Sequence, residues 1–114
     1  MKFKKKKLPR TFSVGLRKRI IIKDLGQIYL SPNEQLTFIT KNKNKYDFVR
    51  KDWGFYATPS INHRLKKEGF KTALVKNFLN RIFIMVVEKK NMSKFRKYCK
   101  NENQKVLFWL DEYI

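Results

Sequence analysis

The fold depends on two apolar segments, Phe70-Lys71-Thr72-Ala73-Leu74-Val75 and Ile82-Phe83-Ile84-Met85-Val86-Val87. Both have the length of a strand, and the second is apolar on both of its alternating faces, a pattern typical of a central strand covered on both sides. Residues 77–81 are short enough to connect the two strands directly. We therefore expect this pair of strands to hold the hydrophobic core.

Two short helices are predicted on either side of this pair. Ser60 can cap a helix over residues 61–68, and Gly69 follows at the position where a left-handed C-cap is common. A second helix is predicted over about residues 91–100. Its apolar residues recur at helical spacing and predict a buried stripe. They are Met92, Phe95, Tyr98 and Cys99.

The N-terminal half has the pattern of short antiparallel strands. Residues 19–23 are rich in β-branched side chains, and Asp24-Leu25-Gly26 predicts a tight turn in which glycine supplies a positive φ. A strand over residues 27–30 would complete that hairpin. The Ser31-Pro32-Asn33-Glu34 turn then leads to a strand over residues 35–40. This half is therefore predicted to be an antiparallel β meander.

From Tyr46 onward the predicted elements follow the order β-α-β-β-α-β. A strand with Tyr46, Phe48 and Arg50 on one face begins this series, and a strand over residues 106–110 ends it. The order is that of a ferredoxin-like unit. The predicted fold class is therefore α+β, with an N-terminal antiparallel β meander followed by a ferredoxin-like unit with two short helices.

The charge of the chain is strongly positive. Its 114 residues include 28 Lys and Arg against 9 Asp and Glu, which gives a formal net charge of +19. Ten of the basic residues precede the first acidic residue, Asp24. Residues 1–11 are predicted to be a basic flexible arm, and residues 12–114 a single α+β domain. The arm could bind a polyanion, act as a localisation signal, or be a solvated tail enriched in Lys by an A/T-rich genome.

Among partners, a polyanion is the class that this charge favours. RNA or an RNA–protein assembly is preferred here over DNA. The predicted polyanion-binding residues lie in the basic N-terminal segment and in the first helix. They are Lys4, Lys5, Lys6, Lys7, Arg10, Arg17, Lys18, Arg19, Arg64 and Lys67.

The segment over residues 52–64 is the predicted binding loop. It contains three aromatic residues within four positions, a glycine and several polar groups, and it leads to the N-terminus of the first helix. Aromatic side chains in such a loop can stack on a base or a sugar. The predicted stacking or ligand-binding residues are Trp53, Tyr56, Asn62 and His63. The alternative interpretation is that the aromatic residues close one end of the core.

Several classes of site are disfavoured by the composition. Cys99 is the single cysteine and His63 the single histidine, which excludes an intramolecular disulfide framework and the usual zinc sites with several Cys and His ligands. The four glycines are isolated, so no dinucleotide fingerprint or P-loop is present. Ser60 is better explained as a helix cap than as a nucleophile. We therefore predict no catalytic residue, metal or cofactor, and the balance is against an enzyme.

The leading interpretation is a small basic module that binds RNA or another polyanion. One alternative is a small-ligand or sugar-binding accessory protein, or a divergent enzyme, that uses the loop over residues 52–64. Another is a protein-interaction domain with an exposed strand edge, and a homo-oligomer stays open. No segment has the 18 or more apolar residues of a membrane span. A cytoplasmic location is expected, with organellar targeting by the basic N-terminus as the alternative.

Overall fold

Three antiparallel sheets make up the computed structural model, which describes residues 1–17 and 19–112. The first sheet is a hairpin of β1 (Lys2–Val14) and β2 (Ile20–Tyr29). The middle sheet consists, in spatial order, of β3 (Gln35–Ile39), β4 (Lys45–Lys51) and β5 (Gly54–Ala57). The third sheet has β6 (Phe70–Lys76) between β7 (Ile82–Glu88) and β8 (Lys105–Trp109). Helix α1 (Arg64–Lys67) precedes β6, and helix α2 (Met92–Asn101) connects β7 to β8.

The α+β class is confirmed, but the finer topology is not. Strand β4, expected to begin the ferredoxin-like unit, pairs with β3 and β5 instead of joining the third sheet. The N-terminal strands are divided between two sheets rather than forming one meander. For β4 the reason is local, because short connections join it to β3 and β5, its neighbours in sequence.

Strand β6 lies at the centre of the core. Phe70, Thr72, Ala73 and Val75 are all buried on it, and Leu65 of α1 is fully buried. The prediction that residues 70–75 and 82–87 form a core hairpin is confirmed by their antiparallel register. The prediction of a central position for residues 82–87 is wrong. The last strand, β8, pairs with β6 on its other side and leaves β7 at the edge.

The two helices differ in how well they match the sequence pattern. The stripe on α2 is confirmed, since Cys99 is buried and the Phe95 ring lies 5.9 Å from the ring of Trp109. Helix α1 is shorter than predicted and begins only at Arg64. Ser60 still satisfies a helix donor, because its Oγ accepts a hydrogen bond from the Arg64 amide at 2.9 Å. Gly69 has the predicted positive φ, +100°.

The β1–β2 hairpin departs most from the sequence prediction. Lys2–Thr11, most of the segment predicted as a flexible arm, lie in β1, and the expected turn at Asp24-Leu25-Gly26 lies inside β2. Opposite that site the register shifts between Lys5 and Arg10. Gly26 has a φ of +142°, and a Cβ there would overlap the carbonyl group of Lys4. The glycine therefore permits close approach of β1 at a bulge, not a chain reversal.

Carboxylates connect the sheets. The Glu88 carboxylate at the end of β7 accepts hydrogen bonds from Thr40 Oγ1 and from the Nδ2 groups of Asn42 and Asn44, which lie in the β3–β4 connection. Glu102, which follows α2, accepts hydrogen bonds from the Leu16 and Arg17 amides in the β1–β2 connection at 2.8 and 3.0 Å. These two acids hold the hairpin and the middle sheet against the third sheet.

Within the described residues, no helix has the length and apolar character needed to cross a membrane.

Candidate functional site

An exposed aromatic pair is the main feature of the predicted binding loop. Trp53 lies in the β4–β5 turn and Tyr56 on β5, and their ring centroids are 5.9 Å apart with planes inclined by 22°. Gly54, with a φ of +145°, shapes the turn that brings the rings together. Trp53 is 71% exposed and Tyr56 45% exposed. Both rings lie outside the buried core, so core closure does not account for them.

A guanidinium group lies on the same face of the middle sheet. Tyr56 is directly opposite Val49 in the register, and Asp47 is two residues from Val49 on β4, so all three share one face. Arg64 Nη1 lies 3.4 Å from Asp47 Oδ2, and Arg64 Nη2 donates to Thr58 Oγ1 at 3.2 Å. The structure therefore places Arg64 on the face that carries Tyr56. We call Trp53, Tyr56 and Arg64 the aromatic face.

The other predicted residues of this region are solvent-exposed. Asn62 and His63 lie in the turn before α1, and Lys67 ends that helix. In the part of the chain that the structure describes, none of the three takes part in a side-chain hydrogen bond or an ion pair. They lie close to Arg64 in the sequence and are directed to solvent.

The basic residues of the hairpin fall into two groups. Lys6 Nζ lies 2.9 Å and Arg10 Nη2 3.7 Å from Asp24 Oδ2, so the two cations share one carboxylate. The Lys6 hydrogen bond and the Gly26 amide lower the pKa of Asp24, and this keeps the carboxylate ionised. Lys5 and Lys7 are exposed and have no acidic partner within the described residues. These two side chains are therefore directed to solvent with their charge unopposed.

The remaining predicted cations lie at or near the hairpin. Lys4 Nζ lies 5.4 Å from the centroid of the Tyr29 ring, a cation–π contact on the hairpin itself. Arg17 and Arg19 are exposed in the β1–β2 connection. Lys18 lies outside the described residues.

Most acidic side chains are occupied by internal contacts. Asp111 accepts a hydrogen bond from the Thr72 amide at 3.0 Å and, with Glu112, binds Lys71. Burial alone would raise the pKa of Asp111, but the bonds from Lys71 and Thr72 outweigh burial and lower it. The pKa of Glu88 is lowered chiefly by the hydrogen bond from Asn42. The carboxylates thus act as acceptors for loops and strand ends, and most Lys and Arg side chains in residues 1–17 and 19–112 have no acidic neighbour.

The described residues contain no cluster of three His, Cys, Asp or Glu side chains able to hold a metal ion. Cys99 is buried on α2, and burial raises the pKa of its thiol, so the thiol form is favoured. His63 is exposed ahead of α1, and no hydrogen bond joins it to Cys99 among the described residues. The arrangement offers no activated nucleophile.

The chain was compared with protein-family models, curated proteins and solved structures. None of them matches it.

An apolar cleft between the hairpin and the middle sheet was not predicted as a site. It has a volume of about 320 Å³ and is lined entirely by uncharged apolar side chains. They are Ile28, Leu30, Leu36, Phe38, Phe48 and Phe55. The alternation of Leu36 and Phe38 is visible in the sequence, but the contribution of β2 depends on the bulge and could not be inferred from it.

Proposed function

We propose that the protein binds single-stranded RNA, alone or in an RNA–protein assembly, through the aromatic face and the exposed lysines of the hairpin. The stacked and exposed pair of Trp53 and Tyr56 carries this proposal. Exposed aromatic rings can stack on nucleic-acid bases, and every base supplies a π-face whatever the sequence.

Charge supports a polyanion as the partner. Four basic side chains in the described residues form ion pairs with carboxylates, namely Lys6, Arg10, Arg64 and Lys71. The net charge of +19 already counts all nine acidic residues, so no ion pair within the fold reduces it. Phosphates bound by such lysines release counterions, so affinity should be strongly salt-dependent.

Single-stranded RNA is favoured over a duplex for a geometric reason. Bases stack on an aromatic side chain only where they are free of the helical stack, as in loops and single strands. Arg64 is on the same face of the middle sheet as Tyr56, and its planar guanidinium, held by Asp47 and Thr58, could also contact a phosphate or base. The predicted cytoplasmic location is retained as part of this proposal.

The test is fluorescence anisotropy of a labelled single-stranded RNA, with duplex DNA and heparin as comparison ligands. Trp53→Ala should weaken RNA binding about 5- to 150-fold, the effect of losing one stacked base. It should leave heparin binding unchanged, because heparin has no bases. Phe108→Ala provides the control, since Phe108 is also exposed but lies on β8 of the third sheet.

Equal RNA affinity for Trp53→Ala and Phe108→Ala would contradict the stacking part of the proposal. Equal affinity of the unaltered protein for RNA and heparin would reduce it to a general polyanion interaction. Weak binding of all three ligands at physiological salt would reject it and would direct attention to small ligands of the loop over residues 52–64.

A further inference from the structure

The chain exposes more surface than a compact protein of its size. Its accessible surface is 9114 Å², whereas a folded monomer of 13.9 kDa is expected to expose roughly 6,700 Å². The radius of gyration is 15.7 Å, against about 13 Å for a compact chain of this length. The excess area of about 2,400 Å² is comparable to what one subunit buries in an obligate dimer.

The apolar cleft is the part of this surface best suited to burial. Phe38 on β3 and Phe55 on β5 form opposite rims, and they are 55% and 67% exposed. Phe48, on the central strand of the middle sheet, lies between them. Phe38 and Phe48 already contact each other edge to face, with centroids 5.7 Å apart. A cleft with projecting aromatic side chains at its rims can accept a side chain of a second molecule and can insert one of its own into that molecule.

The charge of the chain restricts which surface can meet a second copy. In a two-fold contact a surface patch faces the same patch of the partner, so any net charge on it is opposed by an equal charge. The cleft carries no charged side chain, although 28 of the 114 residues are basic. The cation on this face of β4, Arg50, lies opposite the Phe55 rim and outside the cleft lining, so the lining itself can pack against its own copy without like-charge repulsion.

We propose that the cleft is the interface of a homodimer, in which the Phe38 and Phe55 rims of each copy occupy the cleft of the other. The interface uses the face of the middle sheet that carries Phe48. The aromatic face is on the opposite side, because Tyr56 and Val49 alternate with Phe55 and Phe48 along their strands. A dimer would thus present two aromatic faces outward.

Sedimentation velocity over a range of protein and salt concentrations tests this proposal without any nucleic acid. The unaltered protein should sediment as a dimer at micromolar concentration. Added salt should strengthen association, because it screens repulsion between two chains of charge +19. RNA binding should respond to salt in the opposite direction, so the two properties can be judged separately.

Phe38→Lys should raise the dimer dissociation constant by at least about 30-fold, as expected for the loss of an aromatic side chain that fills a pocket of the partner. Phe108→Lys is the matched control, because Phe108 is 58% exposed on β8, away from the cleft. Circular dichroism of both variants checks that the fold is kept. Phe55→Lys provides a second test of the same rim if Phe38→Lys does not fold.

A single-chain mass for the unaltered protein at all protein and salt concentrations would overturn the proposal. So would an equal loss of dimer in the Phe38→Lys and Phe108→Lys proteins, since the interface would then lie elsewhere. Stable dimers of both folded Phe38→Lys and folded Phe55→Lys would also overturn it.

Discussion

Strands β6 and β2 are both rich in aliphatic residues, yet they differ sharply in burial. Ala73 and Val75 of β6 have no exposed surface, whereas Ile21 of β2 is 65% exposed. Strand β6 has a partner strand on each side, and α1 and the 3-10 turn Leu110–Glu112 after β8 also pack on it, whereas the hairpin has only two strands. The number of covering elements, more than apolar composition, therefore determines where the core forms.

Core substitutions should give the largest difference between the two strands. Val75→Ala removes two methyl groups from a fully buried site and should lower the free energy of unfolding by about 2 kcal/mol. Ile21→Ala, at an exposed site, should change it by no more than about 0.5 kcal/mol. Urea denaturation of both variants measures the contrast, and similar losses would show that the hairpin belongs to the same core.

Elements that depend on local patterns could be predicted from the sequence, whereas the choice of strand partners could not. The β6–β7 hairpin, the α2 stripe and the turn at Ser31-Pro32-Asn33-Glu34 follow from local patterns, and the structure confirms them, the last by a Glu34 amide bond to the Ser31 carbonyl at 3.1 Å. The position of β8 beside β6 is set by a crossover through α2. Strand patterns do not encode such a choice of partner.

The candidate site was predicted only in part. The grouping of Trp53 with Tyr56 followed from their proximity in sequence, but their stacking depends on the Gly54 turn. The position of Arg64 on the same face depends on its pairing with Asp47, a residue of another strand. The hydrogen bonds that the Glu88 and Glu102 carboxylates accept from distant loops were not predicted. An isolated acidic residue in a basic chain gives no local indication of its partners.

The stability of the contact between the middle sheet and the third sheet should depend on pH, because Glu88 forms it through its carboxylate. The hydrogen bonds to Glu88, that from Asn42 above all, lower its pKa in the folded state below the usual 4.5. A lowered folded-state pKa contributes stability above the unfolded-state pKa, and this contribution is lost as the pH falls through the folded-state value. Glu88→Gln should therefore be less stable at neutral pH and show a smaller loss of stability below about pH 4.

Thermal unfolding between neutral pH and pH 3 tests this expectation. Glu68→Gln is the control, because Glu68 is exposed at the end of α1 and accepts no side-chain hydrogen bond in the described residues. Parallel pH profiles for Glu88→Gln and the unaltered protein would show that the carboxylate does not hold the two sheets together.

The smallest expected effect comes from replacing Lys5 and Lys7 of the hairpin, and it tests the proposed contact with RNA phosphates most directly. The measurement is the salt dependence of single-stranded RNA binding for a Lys5→Gln, Lys7→Gln double variant and for a matched Lys94→Gln, Lys97→Gln variant on α2. If the hairpin contacts phosphates, losing two contacts should reduce the slope of log affinity against log salt by about 1.4, and the α2 variant should keep the original slope. Equal slopes for the two variants would contradict the account, because net charge alone would then explain the binding.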